Sequence, residues 1–297
     1  MTRPFALRPL AAALAVLVLL AGCDAGTDTP VDTSATAQTD TEDAARNVAA
    51  ALALDGGGVL EDAAAAAAVA AESVPGVSPD GHPPFPPRPG CTPARTFDAA
   101  AVLYTLTTSC TRTNDATGVS AVFARVATVQ FLGDGGQPQP ERQGAAALSF
   151  DILSGTSTVT TPRRSHRLLS LTASFDVTDL GQDLVTVNGT YARAATDTLT
   201  TPRGGQRTLT HELALTLTDV RGPRGVRADW HRAVSGTIAG TYHAVRTATG
   251  RDGATTTREV TRTFTVTLGG NSDVAEIAVG GQTFRADRRT GDVSGIE

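Results

Sequence analysis

From Cys91 onward apolar and polar residues alternate with a period of two, and this alternation restricts the fold more than any other feature. Leu169, Leu171, Ala173, Phe175 and Val177 fall on one side, and Ser170, Thr172, Ser174, Asp176 and Thr178 on the other. Successive side chains of an extended chain point to opposite faces, so the pattern describes a strand with one buried and one wet face. The alternation recurs in Leu209, Leu213, Leu215, Leu217, in Val260, Phe264, Val266, Leu268, and in Leu148, Phe150, Ile152. Further strands are expected at Thr96 to Cys110, Val119 to Leu132, Val187 to Thr196, Ile238 to Thr247 and Val274 to Val279. Gly280-Gly281 is a two-residue hairpin signal into a last strand near Thr283 to Ala286. Short Gly-rich connections favour antiparallel neighbours.

A sheet with one apolar and one Thr-rich face must have its apolar face covered. The expected fold is therefore mainly β, an antiparallel sheet of long strands that is closed or strongly curved, sandwich-like or barrel-like. Short Ala-rich helices precede it and could supply part of a lid. The sheet also carries a duplicated hairpin unit. Moving Thr156 to Leu180 forward by forty positions, without gaps, places Thr160-Thr161-Pro162-Arg163 on Thr200-Thr201-Pro202-Arg203 and Thr178-Asp179 on Thr218-Asp219. A fainter third copy is marked by Leu153-Ser154-Gly155-Thr156, Val187-Asn188-Gly189-Thr190 and Val234-Ser235-Gly236-Thr237.

The N-terminal third is organised differently. Residues 1–22 have the parts of an export signal: Arg3 and Arg8, an apolar core from Leu10 to Leu20, and small residues before Cys23. The core is too short, and wrongly flanked, for a membrane-spanning helix. Residues 23–40 are rich in Asp, Thr, Ala and Ser and suit a flexible tether. Residues 41–74 are Ala-rich and helical, with Thr41 as cap, Glu42 and Asp43 in the first turn, and Gly56-Gly57-Gly58 separating a second helix from Val59 to about Val74. With few large apolar side chains, that second helix is expected to be marginal. Residues 75–90 form a Pro-rich extended linker, and residues 91–297 the antiparallel β domain.

Leu20-Ala21-Gly22-Cys23 resembles the lipobox of bacterial lipoproteins. The resemblance implies cleavage before Cys23 and acylation, palmitate included, of the new N-terminus. The whole layout is similar to that of uncharacterised lipoproteins of Gram-negative bacteria, and the likeness brings no activity with it. It implies a bacterial envelope location, anchored to a membrane through the lipid on Cys23, with a lipid or an envelope protein as further partner. With Cys23 assigned to lipid, Cys91 and Cys110 remain as a pair, expected to form a disulfide in an exported chain.

Charge excludes one class of partner. The formal net charge is −5, and eleven carboxylates between Asp24 and Asp80 face Arg46 alone. No clustered basic face for nucleic acid is evident. The survey for chemistry is negative: no catalytic, cofactor-binding or metal site is expected. His211-Glu212 lacks the second His of a zinc-protease helix and falls in a strand. Trp230, in Asp229-Trp230-His231-Arg232, reads as a core residue at a strand end, and His166 as part of a solvated hairpin loop. The expected function is that of a non-enzymatic envelope lipoprotein, a structural or binding module; the alternative is a carrier holding a lipid or other apolar ligand in a curved β-sheet pocket.

Overall fold

The computed structural model describes residues 33–54, 57–71, 90–114, 119–160, 164–200, 206–225, 229–249, 253–269 and 272–294. Cys23 and residues 75–89 of the Pro-rich linker lie outside them. Two helices come first, α1 (Thr33–Leu52) and α2 (Val59–Ala71). The strands follow as β1 (Cys91–Asp98), β2 (Leu103–Asn114), β3 (Val119–Leu132), β4 (Pro138–Gln139), β5 (Ala147–Thr160), β6 (Arg164–Thr178), β7 (Leu184–Thr200) and β8 (Gln206–Pro223). A short helix, α3 (Trp230–Ala233), precedes β9 (Ser235–Thr249), β10 (Thr255–Leu268), β11 (Val274–Val279), β12 (Gln282–Asp287) and β13 (Val293–Ser294).

All strands belong to one antiparallel sheet in nearly sequential order, β1-β2-β3-β5 and then β6 through β13, with β4 beside β3. The sheet is neither closed nor strongly curled, which corrects the expectation of a sandwich-like or barrel-like fold. Closure is one way to bury an apolar face, and this chain uses another. α1 lies against β10 to β13 and α2 against β6 to β8, on the same face. Both edges are unsuited to pairing: β1 carries Pro93, which lacks an N–H, and β13 has only two residues.

The cover works because Ala is small. Ala44, Ala45, Ala49, Ala63, Ala66, Ala67 and Ala70 are all fully buried, so the helix backbones come close to the sheet. α2 is thus a core element, not the marginal helix its composition suggested. The large apolar surface it buries belongs to the sheet, to residues such as Leu171, Phe175 and Leu213. α1 begins at Thr33, inside the stretch read as a tether.

Bulges break the alternation at defined points. In β6 a register shift between Leu168 and Ser170 buries Leu168 and leaves Leu169 45% exposed, so Leu169 does not share the buried face of Leu171 and Phe175. The Gly-Thr heads of the second and third repeat units explain themselves in the same way. Gly189 has φ +149° and a Cβ there would stand 2.0 Å from the Ser174 carbonyl oxygen; Gly236 has φ +127° and a Cβ would stand 2.5 Å from that of Asp219. The two copies related by forty positions also share an unusual backbone: Asp179 and Asp219 are both left-handed, with φ of 60° and 50°. The stretch from Thr96 to Cys110, read as one strand, is a hairpin. The Asp98 carboxylate accepts from the Ala100 and Ala101 amides at 2.9 and 3.2 Å and holds the turn.

Candidate functional site

The Cys91–Cys110 disulfide joins β1 to β2 across directly opposed positions. Closing a loop of this size stabilises a fold by about 3 kcal/mol. The bridge also lines a part-open cavity of about 100 Å³ between the flank of α2 and the inner face of β1 to β5. Leu106, Phe123, Ala127, Phe150 and Ile152 form its apolar walls, and Glu61, Asp62 and Arg125 its polar side.

Arg125 breaks an otherwise apolar row on β3, between Phe123 and Ala127. Its Nη2 donates to the Gly57 carbonyl at 3.1 Å, tying β3 to the turn before α2. Its Nε stands 3.6 Å from Asp62 Oδ1, an ion contact too long for a hydrogen bond. Asp62 Oδ2 and Arg125 Nε are both buried without a hydrogen-bond partner. Burial raises the Asp62 carboxyl to about 7, against the opposing pull of the Arg125 and Arg193 guanidinium groups and with the neighbouring Glu61 adding to the rise.

From Asp62 a polar seam runs under the helices. Burial pushes the Tyr191 phenol up, the Asp62 carboxylate adds to the shift, and Arg193 and Arg125 oppose it. Arg193, on the inner face of β7, reaches His166 Nε2 at 3.2 Å, and His166 Nδ1 stands 3.0 Å from Asp197 Oδ1. Guanidinium only donates and carboxylate only accepts, so these contacts fit a neutral imidazole with its proton on Nδ1. Asp197 also faces His211, which packs on Tyr242, and Asn47 of α1 donates to the Tyr242 hydroxyl at 3.3 Å. Next to it Asp43 of α1 pairs with Arg207 and, at 3.8 Å, with Arg246, while Asp40 meets Arg258 at 2.6 Å. A shallow cleft of about 540 Å³ opens here, bordered by Asp43, Arg46, Asn47, Asp197, Arg207 and Asp292.

Chemically, the seam is an anchor for the helices. The His166 nitrogen that a general base would turn toward a nucleophile accepts instead from Arg193. Among the described residues no group of three or more His, Cys, Asp or Glu side chains is placed to hold a metal ion.

His166 lies in strand β6 within this seam, not in a solvated loop. His211 is a buried strand residue of β8, and Trp230 is fully buried in α3, its indole donating to the Pro223 carbonyl at 2.9 Å. Arg125, Arg193, Asp197, Asp62 and Tyr242 were not singled out by sequence. The signal available was a charged residue interrupting an apolar row, as at Arg125, and at Arg193 between Tyr191 and Ala195. No protein-family model matches the chain, and no curated protein and no solved structure matches it either.

Proposed function

We propose that this chain is a non-enzymatic binding module of the bacterial cell envelope, held to a membrane by acyl groups on Cys23, which takes a small apolar ligand beside α2. The anchor rests on Leu20-Ala21-Gly22-Cys23. A single acyl chain gives only marginal membrane binding, so stable attachment takes more than one. Among the described residues no helix is long and apolar enough to cross a membrane, so none of them offers a helical anchor in its place.

The observation that carries the binding reading is the cavity of about 100 Å³ lined by Leu106, Phe123, Phe150 and Ile152. Such a volume suits part of a ligand: roughly 150 Å³ of apolar cavity admits benzene. A carrier that shelters a whole acyl chain beneath its helices is less well supported. Under α1 and α2 the side chains of Leu52, Leu60, Leu171, Phe175, Leu213 and Ile238 are at most 2% exposed, and they fill the space such a chain would need.

Two measurements test the reading. Palmitate labelling of cells producing the chain should mark it and place it in the membrane fraction, and Cys23→Ala should abolish both. Octanol titrated into the chain from residue 23 onward should shift the methyl resonances of Leu106 and Ile152 while leaving those of Leu213 unchanged. Equal shifts throughout, or none, would contradict the binding site.

A further inference from the structure

The polar side of the cavity says which apolar ligand it takes. Two unmet groups stand together there: Arg125 Nε, a donor, and Asp62 Oδ2. Asp62 is buried, at 7% exposed, and Arg125 part-buried, and both residues line the cavity. A buried polar atom without a partner is costly, and a ligand that meets both removes the cost twice.

We propose that the cavity binds an aliphatic carboxylate, its chain against Leu106, Phe123, Phe150 and Ile152 and its head between Arg125 Nε and Asp62 Oδ2. The inference rests on the binding reading above and names its ligand. One ligand oxygen accepts a hydrogen bond from Arg125 Nε–H; the other accepts one donated by the protonated Asp62 Oδ2–H. Charge decides between this head group and its rivals. Asp62 faces Arg125 from β3, Arg193 and Tyr191 from β7, and Glu61 beside it on α2. With the Asp62 carboxyl neutral, two guanidinium groups face the single carboxylate of Glu61, and an anionic head restores the balance. An ammonium head would be repelled by the same two arginines, and an alcohol would leave the excess charge in place.

Because the bound form holds a proton on Asp62, binding is linked to pH. The free carboxyl titrates near 7, so between pH 7 and 9 affinity for an aliphatic carboxylate should fall approaching ten-fold per unit. The experiment is calorimetric titration of the chain from residue 23 onward with octanoate, octanol and octylamine at pH 6 and pH 8. The expected order is octanoate, octanol, octylamine, with octanoate about ten-fold weaker at pH 8 than at pH 6. Asp62→Asn, which is neutral at both values, should bind octanoate equally at both and exceed the wild type at pH 8 about ten-fold. Arg125→Gln should erase the preference of octanoate over octanol. If octanol binds as well as octanoate and neither responds to pH, the head-group inference is overturned and the apolar site stands. If none of the three binds, the apolar site falls with it.

Discussion

The two halves of the inner face are built from the same kind of strand and differ in their cover. Over β6 to β13 the Ala-rich helices close down until Phe175, Val177, Val187, Ile238, Val266 and Ile277 have no exposure at all. Over β1 to β5 the helix cover stops at the flank of α2. The far end of these strands is covered by the loop that carries β4, where the Tyr104 hydroxyl donates to the Pro140 carbonyl at 2.6 Å. Between loop and helix the cavity remains, with the disulfide on one wall and Arg125 and Asp62 on another. Open space in this fold therefore depends on where the helices end, since the strands supply apolar side chains in both halves.

The contrast predicts different costs for the same deletion. Leu213→Ala in the sealed half leaves a void that a close-packed interior cannot fill, at about 3–5 kcal/mol in denaturant unfolding. Ile152→Ala merely enlarges an existing part-open space and should cost about 2 kcal/mol. Equal costs would erase the distinction between the halves.

The next effect belongs to Asp62. Its carboxyl is raised from 3.8 to about 7 by burial, so between these values the folded state holds a proton that the unfolded state has lost. Stability from this group is complete below about pH 4, declines as pH rises, and is gone above about pH 7, by up to about 4 kcal/mol. Asp62→Asn should flatten that slope and leave the protein more stable than the wild type at pH 8, as followed by unfolding at several pH values. A slope unchanged by the substitution would assign it to other groups.

Reducing the Cys91–Cys110 bridge should lower stability by about 3 kcal/mol and shift octanol contacts at Leu106, because the bridge is itself a cavity wall. The smallest effect is a pair of opposite signs. Ala127→Val adds methyl groups toward the cavity and should stabilise by about 1 kcal/mol. Ala195→Val, at a fully buried position of β7, should overpack and destabilise by about 1–3 kcal/mol. Matching signs in thermal unfolding would show the two surroundings to be alike.

Strand positions were legible because a period of two survives along most of this chain, as in Leu213, Leu215, Leu217. It failed at Leu169, where a bulge inverts the faces, and at Asp98, whose turn lies inside an apparently continuous strand. The cover was harder to see. Alanine contributes little to any amphipathic pattern, so α2 looked weak although its contribution is close approach and not bulk. The open sheet follows from that cover and has no local signature. The polar seam was illegible for another reason: Arg125, Arg193 and Asp197 each resemble a defect in an alternating strand. Only the register of β3, β7 and β8 under two helices turns them into one network.

The most direct test of the unequal cover is a crystal of the protein pressurised with xenon, which enters apolar cavities and leaves packed interiors alone. Xenon density between Phe123, Phe150 and Ile152, with none beneath α1 or over Leu213, is the predicted result. Density beneath the helices with an empty β1 to β5 flank would contradict it.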